Sequence, residues 1–227
     1  MKWLLVLSAV LVAFTNAQDT CYYESVQGCN SPIANDDLVN CNAVFSGFAK
    51  NVGVLQRYAN HQIEKSFEYL LLSANFGTFV KNRPGFEKQF RSLSDKSWSN
   101  GIELIKHITK RGGAHDFTVT SSNKTEKKQI LDLNELNALA LTLDYEKTLA
   151  LEAHHIHEKY SHAKHPTEYD PEIAHFIEEE FIEDQASTIR KLSGYTNDLK
   201  KLLKEYKDTN DVSLSLYLFD EYLGKQE

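Results

Sequence analysis

The chain has 227 residues, 41% of them hydrophobic, enough to bury a core, and one domain is expected. Four prolines and ten glycines leave few breaks and favour long helices over a sheet. A net charge of −7 argues against a nucleic-acid binder, whose footprint is normally basic; it fits plain solubility or the handling of cations.

Residues 1–17 differ in kind from the rest. Lys2 precedes the apolar run Trp3 to Phe14, and Thr15-Asn16-Ala17 gives a small-residue ending of the kind signal peptidase cuts. The run is too short to span a bilayer, so it reads as a secretory signal peptide rather than an anchor. Residues 18–41 then hold all three cysteines, Cys21, Cys29 and Cys41. In an oxidising compartment these should pair, and since three is odd, one either bonds to another chain or stays free. The absence of a CxxC spacing weighs against a metal site there.

Residues 42–224 read as helices. The first runs roughly from Asn42 to Phe76, with Val44, Phe48, Val52, Leu55, Ala59, Ile63, Phe67, Leu70 and Ala74 along one face. Asn82-Arg83-Pro84-Gly85 turns the chain into a second helix that ends near Lys110, where Gly112-Gly113 stops it. A polar segment of about twenty residues follows, carrying the N-glycosylation sequon Asn123-Lys124-Thr125. The third helix is predicted from Asp132, with Glu135 completing a capping box, to about Ala163. The fourth, Asp170 to Tyr206, opens with a capping aspartate, a proline suited to the first turn and Glu172 at the positive end of the dipole. At 1.5 Å per residue it is roughly 50 Å long, and it needs partners of similar length to cover its apolar stripe. Asp208-Thr209-Asn210-Asp211 should end that helix, and Ser213–Leu223 forms a short fifth one. Short turns inside each helix pair and a long link between pairs give an all-α four-helix bundle with one long crossover. Phe67, Leu70, Leu93, Ile105, Leu139, Leu143, Phe176 and Ile189 are expected to be buried.

Several segments also resemble one family. Asp170-Pro171, Phe176-Ile177-Glu178, Gln185, Ile189-Arg190-Lys191-Leu192 and Thr196-Asn197-Asp198-Leu199 are similar to the fourth helix of ferritin. Tyr217-Leu218-Phe219-Asp220 resembles its short fifth helix, Arg111-Gly112-Gly113 the exit from its second, and Ser66, Tyr69, Leu70, Ser73 and Phe76 its first. The leader, the cysteine-bearing extension and the internal additions resemble the secreted ferritins of insects. The resemblance implies a hollow shell of about twenty-four subunits that stores ferric mineral, with iron as cargo.

Oxidising Fe(II) at a dinuclear site needs hard anionic oxygens and an imidazole converging in the bundle core. The resemblance puts those ligands at Gln62, Ser97 and Asn100, with Gln185 and Glu146 (or Asp144) as the remaining partners. A neutral amide supplies no anionic charge, Ser97 is too short to bridge, and Asn100 is a poor substitute for imidazole. The resemblance therefore implies a light-chain-type subunit that is not an enzyme and co-assembles with ferroxidase-active heavy-type subunits. It further implies a disulfide from the Cys21, Cys29 and Cys41 set to a different subunit type, and an iron-entry role for Glu178, with His175 at the companion position. Of the mineral-nucleating face, which here reads Ser92, Ser94, Asp95 and Lys96, only Asp95 matches. Tyr69 reads as an ordinary core tyrosine with its hydroxyl satisfied.

Two other function classes compete. Glu152 and His155 share a helix face one turn apart and could ligate a metal in a rearranged di-iron oxidase, against the plainer reading of a solvated histidine-rich helix end. A secreted helical ligand that binds a receptor and no metal would elute as a monomer or dimer rather than as a shell.

Overall fold

A computed structural model describes residues 42–119, 133–162, 168–205 and 209–226. Among them every regular element is helical: α1 (Phe48–Phe76), α2 (Pro84–Lys110), α3 (Glu135–Ser161), α4 (Pro171–Ile177), a π turn (Glu178–Ile182), α5 (Glu183–Glu205) and α6 (Thr209–Gly224). α4, the π turn and α5 run on without a break as one long fourth helix. α1 packs along α2 and α3 along the fourth helix, while α6 lies against α2 and α5. The four-helix bundle with a short fifth helix is thus as the sequence predicts.

The helix ends follow local chemistry. Asp170 caps α4 by accepting from the Ile173 amide, with Pro171 next in the chain. Gly112, at φ 81°, takes the left-handed conformation that ends α2 after Arg111. The cap of α3 is Asn134, which accepts from the Asn137 amide at 2.8 Å, and not the expected Asp132, which lies outside the described residues. α1 begins at Phe48 rather than Asn42, because Ser46 adopts φ 58° and Gly47 becomes the cap. α6 begins at Thr209, inside the segment expected to be a break.

The core comes in two apolar clusters. One gathers Phe48, Leu55, Tyr58, Leu104, Ile108, Leu149, Ile156, Tyr160, Ile173, Ile177 and Phe181. The other gathers Tyr69, Leu72, Phe76, Phe86, Phe90, Leu93, Leu139, Leu192, Leu199 and Phe219. Each large side chain so buried contributes about 1.5–3 kcal/mol. The π turn serves this arrangement. Ile173, Ile177, Phe181 and Gln185 recur every four residues, a spacing that drifts around an α-helix but stays in line through one wider turn.

The expected burial needs one correction. Leu93 and Leu139 are buried and Ile105, Leu143, Phe176 and Ile189 partly so, but Phe67 is 55% exposed and Leu70 is exposed as well. Val44 and Ala74 also face out. The inward face of α1 instead runs through Leu55, Tyr58, Gln62, Ser66, Tyr69, Ser73 and Phe76. Ile63, Phe67 and Leu70 lie on a second apolar face, where Phe67 meets the ring of Trp98 edge-on at 6.2 Å.

Candidate functional site

Between the two apolar clusters each long helix turns a polar interval inward. α1 contributes Gln62 and Ser66, α2 contributes Ser94 and Ser97, α3 contributes Thr142 and Glu146, and α5 contributes Gln185, all of them buried. The bundle therefore has a polar waist, and α1 and α2 are held together there by the Ser94 hydroxyl donating to the Ser66 carbonyl at 2.8 Å. Gly101 on α2 allows the close approach, since a Cβ there would stand 2.7 Å from Ile63 Cγ1.

Tyr58 is the hub of this waist. Its hydroxyl accepts from Gln62 Nε2 at 3.0 Å and from Gln185 Nε2 at 3.2 Å, joining α1 to α5. Burial pushes its pKa well up, against the opposing pull of the two amide donors. The carbonyl oxygens of Gln62 and Gln185 and the Thr142 hydroxyl are buried without a hydrogen-bond partner.

Glu146, 4% exposed, is the inward acid of α3, whereas Asp144 is exposed. It accepts from the Tyr69 hydroxyl at 2.7 Å, which satisfies Tyr69 as expected. Burial raises the Glu146 pKa, and the Tyr69 hydrogen bond and the Lys96 charge act against that rise. Ser97 is buried and Asn100 partly buried on α2. The structure thus joins Gln62 and Gln185 through one hydroxyl and sets Glu146 on another tyrosine.

The remaining candidates lie apart from the waist. Glu178, on the π turn, is exposed and 3.5 Å from His157 Nε2. His175 pairs with Glu179 at 3.2 Å, so the two expected entry residues have different partners. Asp95 is exposed and accepts from Arg91 Nε with both oxygens, at 3.0 and 3.1 Å. Glu152 turns away from His155 to meet the buried His61, whose Nδ1 is 2.8 Å from Glu152 Oε2, while His155 faces solvent. Among the described residues no three His, Cys, Asp or Glu side chains are grouped to hold a metal ion, and no helix is long and apolar enough to cross a membrane. Cys21, Cys29, Cys41 and Asn123 lie outside the described residues.

Sequence reasoning missed Tyr58 as the hub, although its spacing of four from Gln62 places the two on one face of α1. It also missed the pairing of Lys96 with Asp184, which joins side chains from two distant segments and leaves no local mark.

Comparison with known proteins accords with this architecture. A family model described as the ferritin-like domain matches residues 53–202. The chain is 44% identical to a ferritin light chain of Drosophila melanogaster over 227 residues, covering 98% of this chain and 97% of that one. It is also 44% identical to a ferritin light chain of Trichoplusia ni, covering 99% of each. The crystal structure of Trichoplusia ni secreted ferritin superposes with a TM-score of 0.82 at 45% identity, covering 92% of this chain and 100% of that one.

Proposed function

Since this chain belongs to the ferritin family, we propose that it is a light-chain-type subunit of a secreted iron-storing shell, one with no oxidising centre of its own. The observation that carries the reading is the polar waist. Its buried groups are two amides, hydroxyls and the single carboxylate of Glu146, which is already engaged by Tyr69. Hard Fe(II) ions that must lose electrons to O₂ need several anionic oxygens, and neutral amides at Gln62 and Gln185 supply none. Removing paired acids also removes the repulsion they would suffer when no metal is bound, so the lost chemistry favours a firmer bundle.

On this reading iron is oxidised on a co-assembled heavy-type subunit and deposited as ferric mineral in a shared cavity. Glu178 and His175 serve iron entry, and Asp95 is the one acid left on the nucleating face. The chain enters the secretory pathway through residues 1–17, carries glycan at Asn123, and bonds to its partner subunit through at least one of Cys21, Cys29 and Cys41. The names light chain and secreted ferritin borne by the Trichoplusia ni relatives support the assignment.

Stopped-flow oxidation tests it. A shell assembled from this chain alone should oxidise Fe(II) no faster than buffer, and adding catalytic subunits during assembly should restore a rapid phase. The triple change Gln62→Glu, Ser97→Glu and Asn100→His should recover part of it. Rapid oxidation by the unmodified chain would sink the assignment and make Glu152 and His155 the first residues to mutate. On a non-reducing gel the native particle should show a heterodimer that collapses on reduction, and three free thiols would refute the disulfide.

A further inference from the structure

Residues 114–119, where the chain leaves α2, are held to α1 by side chains of that helix. Gln56 Nε2 donates to the Ala114 carbonyl at 2.7 Å. Asn60 Nδ2 donates to the carbonyls of Asp116 and Val119, each at 2.9 Å, and Asn60 Oδ1 stands 2.8 Å from His115 Nε2. Gln56 and Asn60 are one turn apart, so a single edge of α1 carries these contacts. The same residues open the long polar segment that contains the sequon at Asn123.

The Asn60 amide gives both its hydrogens to carbonyls, so its oxygen must accept, and His115 Nε2 must carry the hydrogen. That fixes the neutral tautomer. His115 Nδ1 is then a bare lone pair, and it is buried without a hydrogen-bond partner. A neutral ring tolerates this position, but an imidazolium does not, since its Nδ1–H would be a charged donor shut away from any acceptor. The charged group that bears on the ring is Asp116, whose Oδ1 is already taken by the Thr118 amide and hydroxyl, at 2.8 and 2.7 Å. α1 meets the ring with the neutral Asn60, and Phe117 packs on it edge-on at 4.5 Å. Burial holds the His115 pKa below the ordinary imidazole value, against the opposing pull of Asp116. The neutral clip is therefore fully present above that ordinary value and is lost as pH falls from there toward the lowered one.

We propose that residues 114–119 are an acid-released strap on α1, with His115 as its switch and Asn60 as its catch. The protonated ring turns its Nδ1–H out to water and leaves Asn60 Oδ1, and the strap comes away while the helices stay formed. Release opens the start of the link between the two helix pairs to proteases, so acidification makes the chain cleavable there before it unfolds.

Limited digestion of the full chain with proteinase K, at about pH 7.5 and about pH 5, tests this. Cuts between Gly113 and Val119 are counted by mass spectrometry and referred to a free peptide of the same sequence, which removes the protease's own pH dependence. Relative cutting should rise about tenfold or more on acidification. His115→Gln, whose amide still donates to Asn60 and takes no charge, should keep the neutral-pH level at both. Asn60→Ala should raise cutting at both. Helix content by circular dichroism should stay constant over the interval. Cutting that does not change with pH in the unmodified chain, or a pH step that persists in His115→Gln, would overturn the inference. So would a loss of helix content that accompanies the cutting, because the strap would then be yielding with the bundle.

Discussion

The carboxylate of Asp220, on α6, accepts the backbone N–H of Phe86 at 2.9 Å, so the fifth helix caps the second. The reverse link is also present, since Lys88 on α2 donates to the carbonyls of Gly224, the last residue of α6, and of Gln226 just beyond it, each at 2.9 Å. Each helix thus receives a charge suited to its dipole from the other. Asp220→Ala should lower stability by about 1–2 kcal/mol, read from the urea midpoint at unchanged slope. Gly85→Ala should do worse, because the new Cβ would stand 1.9 Å from the Asp220 carbonyl oxygen.

Removing the hub of the waist should cost more than removing the waist itself. Tyr58→Phe strands the amide N–H groups of Gln62 and Gln185 in the interior, and a loss of about 1–3 kcal/mol is expected in thermal or urea unfolding. Changing Gln62 and Gln185 to Met in the Tyr58→Phe background should return most of it, because apolar partners leave nothing unsatisfied.

Glu146 sets a pH dependence of definite sign. Its pKa is raised in the fold, so the folded state favours the protonated acid. Its contribution is fully present below the ordinary carboxylate pKa and fades as pH rises through the raised one. Glu146→Gln should therefore raise the unfolding midpoint at neutral pH and leave it nearly unchanged near pH 4. An equal effect at both would exclude this origin.

His107 acts in the opposite direction. It stacks on Phe176 at 3.7 Å between ring centroids, and burial lowers its pKa despite the neighbouring Glu172. Its contribution is present above the ordinary imidazole pKa and is lost as pH falls from there toward the lowered value. His107→Gln should flatten the stability profile over that interval, as followed by circular dichroism.

The outward face of α1 should matter for assembly and little for folding. Phe67→Glu with Leu70→Glu changes exposed positions, so helix content should persist while light scattering finds particles smaller than the multi-subunit shell of the unmodified chain.

Helix existence and order were legible because apolar periodicity over some thirty residues admits few readings, and Asp170 and Gly112 announce their ends chemically. The face of α1 was not legible. That helix has two apolar surfaces, and its inward one carries Gln62, Ser66 and Ser73, so counting hydrophobic residues favoured the wrong side at Phe67 and Leu70. The four-residue spacing from Ile173 to Gln185 was visible in the sequence, but only the packed helix explains it as a π turn. Gln62 and Gln185 could be located from the sequence, whereas their hydrogen bonds depend on Tyr58, which nothing in the sequence singles out.

The edge-on pairing of Phe67 with Trp98 gives the molecule an optical property of its own. Of the two tryptophans in the sequence, Trp3 falls in residues 1–17, the proposed leader, and Trp98 stands on the outward face, about half exposed. In the chain without its leader, emission near 350 nm marks an indole in contact with water, and a shift toward the blue marks its coverage by a neighbour. On the proposal that subunits dock through this face, intrinsic fluorescence follows their docking rather than the formation of the interior, and assembly can be timed without a label.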